Sequence, residues 1–127
     1  MAKILTEISF GELLDKITIL DIKLKKIKNP FLRKEVEKEY AILLKIKKKN
    51  IKKSKFINKL YNDLKKTNIQ IWNIENLKRK FEKKKFFDKK FINISRKEYK
   101  ANDQRAKIKS EINNFLNSNI KEVKQHI

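Results

Sequence analysis

The sequence lacks cysteine and contains one glycine, one proline and one histidine among its 127 residues. Without cysteine the chain has no disulfide, no thiolate nucleophile and no cysteine-based zinc site. The lone histidine, His126, effectively excludes both a multi-histidine metal site and a Ser-His-Asp triad. The lone glycine, Gly11, excludes the glycine-rich loops that bind nucleotide phosphates. We therefore expect neither a bound metal nor a cofactor.

The scarcity of glycine and proline also removes the usual material for tight turns and hairpins, which predicts an all-α protein. A length of 127 residues suits one domain, residues 1–127, with a single modest core. No apolar run approaches the roughly 20 residues that a membrane span needs. The opening MAKILTEIS lacks the apolar core of a signal peptide, so we expect a cytoplasmic protein.

The charge is strongly one-sided, with a formal net value of +20, but only four of the 35 basic residues are arginine. Lysine, isoleucine and asparagine are together abundant, as the codons of an AT-rich genome would impose. Proteins that read phosphates or bases more often use arginine, whose planar fork binds bidentately. We therefore interpret most lysines as solvated surface, with nucleic-acid binding as a less favoured alternative.

Helix 1 is predicted over residues 9–28, since Ser9 and Glu12 form a capping box and the pattern stops at Asn29-Pro30. Its apolar residues lie nearly all round the helix, which predicts either a central position or an oligomer interface. Helix 2 is predicted over 30–47, followed by a lysine-rich loop.

Helix 3 is predicted over residues 54–86 and would be roughly 50 Å long. Ser95 and Glu98 form a second capping box, which predicts helix 4 over 95–117. Trp72 adjoins the apolar stripe of helix 3 and is interpreted as core packing, the alternative being a stacking platform for a base or sugar. The expected fold is an all-α, elongated three- to four-helix bundle with a long, coiled-coil-like third helix.

Arg105 lies on the apolar face of helix 4 and needs a partner, because an unpaired buried guanidinium is very unfavourable. We expect it within ion-pairing reach of Glu12 on helix 1 or Glu75 on helix 3. One interpretation is a core salt bridge that fixes the register of the bundle. The alternative is an anion pocket in which Arg105, Lys109 and Lys16 receive a carboxylate or phosphate. The candidate binding residues are Glu12, Lys16, Glu75, Asn102, Arg105 and Lys109.

Three segments resemble a bacterial family of small proteins that is known only as a domain of unknown function: ISFGELLDKITILDIK (8–23), WNIEN (72–76) and FDKKFINISRKEYKANDQRAKIKSEIN (87–113). The resemblance covers nearly the whole chain, and its most specific parts are Ile-Ser-Phe-Gly-Glu-Leu-x-Asp-Lys and Asn-Asp-x-Arg-Ala. It implies a loose association with cell-surface polysaccharide and glycosyltransferase genes, and no established activity. The matching positions are Glu12, Asp15, Lys16, Lys23, Trp72, Glu75, Asn102, Asp103, Arg105, Lys109 and Glu111. The chain departs from the pattern at residues 121–127.

The sequence favours a noncatalytic binding or assembly module, a dimer through helices 1 and 3 or a complex with another protein, accessory to cell-surface glycan synthesis. The first alternative is a small helical enzyme or sensor that binds an anionic small molecule through Arg105, Lys109 and Lys16. In it, Glu12 or Glu75 would supply electrostatic or acid/base help. The second alternative is nucleic-acid binding through the basic surface.

Overall fold

A computed structural model describes residues 1–126, which form four α-helices. Within that range the predicted all-α class is confirmed. Ile127, the last residue of the predicted domain, lies outside the described residues. None of the helices of residues 1–126 combines the length and apolar character needed to cross a membrane.

The first helix, α1 (Phe10–Lys26), begins next to the predicted Ser9 cap. The Ser9 hydroxyl accepts a hydrogen bond from the backbone N–H of Glu12 at 3.0 Å. The carboxylate of Glu12 does not complete the capping box, because it binds Lys109 instead. The helix ends before Pro30, which cannot continue the backbone hydrogen bonding.

The second helix, α2 (Pro30–Asn50), is longer than predicted. The Asn29 side chain caps its start, and the lysine run assigned to a loop stays helical as far as Asn50. Lysine is a good helix former, and Lys47, Lys48 and Lys49 place positive charge where the helix dipole is negative. The prediction of a helix end at Lys47 was therefore wrong.

The third and fourth helices form a long antiparallel hairpin. Ser54 caps α3 (Lys55–Lys84), which at 1.5 Å per residue is about 45 Å long. Asp88 caps α4 (Lys89–Phe115), so the predicted start of this helix at Ser95 was wrong. Ser95 lies inside the helix, where the local Ser-x-x-Glu pattern has no free N–H groups to cap.

The first helix is the centre of the molecule. It packs against α2, α3 and α4, whereas the backbone of α2 lies close only to that of α1 among the helices. The apolar core joins the three helices α1, α3 and α4 with Ile51. It consists of Leu13, Leu14, Ile17, Ile51, Ile57, Leu60, Leu64, Ile108 and Ile112. Of the two positions predicted for helix 1, the structure shows the central one.

Candidate functional site

The start of α1 lies unusually close to α4 at Gly11. A Cβ atom on this residue would lie 2.7 Å from the backbone oxygen of Lys109 and 2.9 Å from Oδ1 of Asn113. The Asn113 Oδ1 atom accepts a hydrogen bond from the Gly11 N–H at 2.7 Å. Only glycine allows this approach, because any side chain would push backbone against backbone. The contact brings the polar side chains one turn further along α1 within reach of α4.

The centre of the site is an ion pair between Asp15 of α1 and Arg105 of α4. Arg105 donates from Nε to one carboxylate oxygen at 2.9 Å and from Nη2 to the other, so the pair is bidentate. Asp15 is 1% exposed, whereas the Arg105 side chain is 29% exposed. The hydrogen bonds with Asp15 raise the pKa of Arg105 above its ordinary value, and the guanidinium stays charged.

The third helix contributes to the same cluster through Asn68. Its amide nitrogen donates to a carboxylate oxygen of Asp15 at 2.9 Å and to the hydroxyl of Thr18 at 2.7 Å. The Thr18 hydroxyl donates in turn to the backbone oxygen of Asp15 at 2.7 Å. Asp15, Thr18 and Asn68 are all buried. Together with the Arg105 bonds from α4, these bonds join three helices through satisfied polar groups, an arrangement that specifies the relative register of the helices.

A second ion pair lies one turn away, where Lys109 Nζ is 2.6 Å from the Glu12 carboxylate. Lys109 also lies 3.8 Å from Asp15 and 3.8 Å from Glu122. Ser9 donates its hydroxyl to Glu122 at 2.7 Å, which holds the C-terminal segment across the start of α1. Lys109 is therefore surrounded by three carboxylates, and its charge is neutralised within the chain.

The prediction of a partner for Arg105 was wrong in detail. Arg105 does face α1 and does bind a carboxylate, but the carboxylate belongs to Asp15 and not to Glu12 or Glu75. Glu12 pairs with Lys109. Asp15 and Glu12 are separated by less than one helical turn, and the crossing of α1 over α4 decides which of them meets Arg105.

The six predicted binding residues lie in different surroundings. Arg105 and Glu75 line one cleft, and Lys109 lines a groove on another side of α4, with the C-terminal segment. Asn102 lines a third groove and donates its amide to the backbone oxygen of Glu98. Lys16 is exposed and takes part in none of the ion pairs of residues 1–126. Arg105 and Lys109 therefore line different cavities, Lys16 lines neither of them, and joint action of the three on one anion stays a prediction.

The cleft beside Arg105 has a volume of about 380 Å³ and lies between α1 and α3. Its walls combine an apolar part with amide and charged groups: Ile19, Ile22, Asn68, Ile71, Trp72, Glu75, Asn76, Arg79 and Arg105. The half-buried Trp72 lines this cleft, so it belongs to the surface as well as to the packing.

A separate polar cluster forms around Asp21, where α1 meets α2 and α3. Lys65 Nζ binds the Asp21 carboxylate at 2.8 Å, and this hydrogen bond raises the pKa of Lys65. Burial, reinforced by the negative charge of Asp21, raises the pKa of Tyr61, and the same two causes raise the pKa of Tyr40. Lys47 lies over the Tyr61 ring at 4.5 Å, and burial lowers its pKa.

Sequence reasoning missed Asp15 and Asn68 as members of the site. A signal for Asp15 was present, because residues 15, 19 and 22 follow the i, i+4, i+7 spacing and two of them are isoleucine. Asn68 likewise lies four residues after Leu64 and three before Ile71, at the spacing that places these residues on one side of α3. A polar residue on an apolar stripe marks the need for a buried partner.

Chemically, the cluster is suited to holding helices in place. Its carboxylates and cations are paired with one another, and no three His, Asp or Glu side chains of residues 1–126 are grouped to hold a metal ion. Glu12, Glu122 and the outer side of Arg105 face solvent in part, and Arg105 adjoins the cleft.

No curated protein and no solved structure matches the chain. The model of a family of unknown function, DUF6165, matches residues 4–126 and so covers nearly the whole sequence. The Asp15–Arg105 pair, the Gly11 contact and the Trp72 cleft all lie within the matched range. The predicted resemblance to a family of unknown function is therefore confirmed. The chain belongs to the family of unknown function DUF6165.

Proposed function

We propose that this protein is a noncatalytic assembly module that binds an acidic helical segment of another protein through α2. The observation that carries the proposal is the exposure of this helix. None of its 21 residues is fully buried. A helix that leaves much of its apolar surface in water gains stability when a partner covers that surface.

The proposed binding surface, called here the outer face of α2, consists of Phe31, Glu35, Lys38, Ile42, Lys45, Ile46 and Lys49. These residues follow helical spacing and all are exposed, Ile42 by 52% and Ile46 by 41%. The opposite side of α2 carries Tyr40, Leu43 and Leu44, which pack against the core. The outer face is therefore left over after the packing within the chain is complete.

The charge of the C-terminal half of α2 favours an acidic partner. Between residues 40 and 50 the helix carries four lysines and no acidic residue, so isoleucines and lysines are neighbours on the outer face. A second copy of a chain with net charge +20 would bring like charges together. An amphipathic helix with acidic residues beside its apolar stripe would cover the isoleucines and pair with the lysines.

Two alternatives receive less support from the geometry. A dimer through helices 1 and 3 was expected because helix 1 is apolar all round, but α2, α3 and α4 cover it within the chain. An enzyme or sensor in which Arg105, Lys109 and Lys16 act together on one anion has less support, because Arg105 and Lys109 line different cavities and Lys16 lines neither of them. The link to cell-surface glycan synthesis and the cytoplasmic location stay predictions.

The experiment measures binding of a labelled acidic amphipathic helical peptide by fluorescence anisotropy. A peptide of the same composition in scrambled order is the control for charge alone. Burying an isoleucine side chain contributes about 1.5–3 kcal/mol, so Ile42→Asp/Ile46→Asp should bind at least roughly tenfold more weakly. The matched control is Ile69→Asp/Ile92→Asp, which adds the same charge at exposed isoleucines of α3 and α4.

Equal binding of the ordered and scrambled peptides would contradict the proposal, as would equal losses in the two double variants. Sedimentation velocity supplies an independent check on the wild-type chain. A wild-type dimer that Ile42→Asp/Ile46→Asp dissociates would show that a second copy, and not an acidic partner, covers the outer face of α2.

A further inference from the structure

The geometry points to a ligand site in the cleft between α1 and α3, which we propose takes an aromatic or heteroaromatic ring that carries a phosphate or carboxylate. The cleft volume of about 380 Å³ lies in the range of small-molecule sites, roughly 300–1,000 Å³. The site is independent of the outer face of α2, since none of its lining residues comes from that helix.

The apolar wall accounts for the ring. Trp72 and Ile71 line the cleft from α3, and Ile19 lines it from α1. Trp72 and Ile71 are only half-buried, so they keep apolar surface in contact with water. A flat ring that lies against the indole would remove that surface from water and gain stacking energy at the same time.

Two guanidinium groups account for the anion. Arg105 uses Nε and Nη2 for Asp15, and its Nη1 has no acceptor among residues 1–126. Arg79 is exposed and takes part in none of the ion pairs of that range. Both side chains line the cleft, and guanidinium N–H groups match the oxygens of phosphate or carboxylate.

The net charge of the chain favours an anionic ligand over a cationic one. Asp15 compensates Arg105, and Glu75 in the cleft wall offsets Arg79, so the lining is close to neutral. The whole chain nevertheless carries a net charge of +20, which places the cleft in a positive potential. Glu75 and the amide of Asn76 remain available to accept or donate hydrogen bonds from ring substituents.

The single tryptophan of the chain gives a direct readout, because its fluorescence reports on this cleft alone. The wild-type chain is titrated with phenyl phosphate, benzoate and adenosine 5′-monophosphate. Inorganic phosphate tests whether the anion binds without a ring. Cyclohexyl phosphate tests a saturated ring, which cannot stack on the indole. A saturable change with the aromatic anions, weaker for the last two probes, supports the site, and comparison of adenosine monophosphate with benzoate separates a nucleotide-like from an aryl carboxylate ligand.

Arg79→Gln is the decisive variant, since Arg79 is exposed and its loss leaves the core ion pair intact. One charge-assisted hydrogen bond at a partly exposed site predicts about tenfold weaker binding. Arg96→Gln removes the same charge from an exposed position of α4 outside the cleft and should bind as the wild type does. The absence of a saturable change, equal weakening in both variants, or unchanged binding in Arg79→Gln would each overturn the proposal.

Discussion

Replacing Arg105 by methionine should destabilise the fold by removing the partner of a buried charge. The change keeps most of the side-chain volume but takes two charge-assisted hydrogen bonds from Asp15, which is 1% exposed and out of reach of water. Breaking a buried pair in this way costs about 3–5 kcal/mol. Asn68 keeps its bond to Asp15, and Lys109 lies only 3.8 Å away, so we expect about 3 kcal/mol. For a domain of this size that is a fall in Tm of roughly 10 °C.

The free energy of unfolding is measured by urea denaturation followed by circular dichroism. The exposed Arg96→Met is the matched control and should stay within about 0.5 kcal/mol of the wild type. The double variant Asp15→Asn/Arg105→Met leaves no buried charge and should recover at least half of the loss. A loss of less than about 1 kcal/mol in Arg105→Met would refute the reasoning, because it would show that the Asp15 carboxylate can stay buried without its guanidinium partner.

Two further predictions concern the packing of α1 and the cluster around Asp21. Gly11→Ala should lower the free energy of unfolding by about 1–3 kcal/mol in urea denaturation, although alanine is the better helix former, because its Cβ would lie 2.7 Å from a backbone oxygen of α4. Greater stability in this variant would show that α1 and α4 can separate at little cost. Because the pKa of Tyr61 is raised, the folded state keeps the phenol proton to a higher pH than the unfolded state, whose tyrosine pKa is about 10. Preference of the folded state for the protonated phenol therefore contributes to the free energy of unfolding. This contribution is complete below pH 10 and is lost as the pH rises from there towards the folded pKa, by at most about 1.4 kcal/mol per pH unit. Tyr61→Phe should therefore show a shallower alkaline loss of stability than the wild type, and the exposed Tyr99→Phe should not.

Capping residues and proline predicted the helix ends well where no other capping residue lay nearby. The Ser9 cap and the Pro30 break delimit α1 because each acts on neighbouring backbone groups. The same kind of signal failed at Ser95, where Asp88 caps the helix first and the apolar stripe continues through Phe91. Glu98 lies at an inward position of that stripe, where it pairs with Lys78. Because Glu98 is charged, it interrupts the helical spacing of the apolar residues, and the sequence pattern did not reveal the early start of α4.

The site was predictable in part for a similar reason. The phase of a single helix places Arg105 on an inward face, and that needs no knowledge of the other helices. Its partner depends on how closely α1 approaches α4, and this is decided by Gly11, which has no side chain to reveal its role in a pattern. The Trp72 cleft depends on the crossing of α1 and α3, so it could not be predicted from either helix alone.

The central position of α1 also has a consequence for synthesis of the protein. Among the four helices α1 is translated before the others, and two of its hydrogen-bond partners, Arg105 and Asn113, lie 90 and 102 residues after Asp15 and Gly11. Until α4 has been translated, only α2 and later α3 can cover a helix that is apolar on several sides. Nascent chains should therefore expose this helix to chaperones and to one another until α4 has been translated. Completion of the last helix ends that exposure, because it brings both the charge for Asp15 and the backbone contact for Gly11.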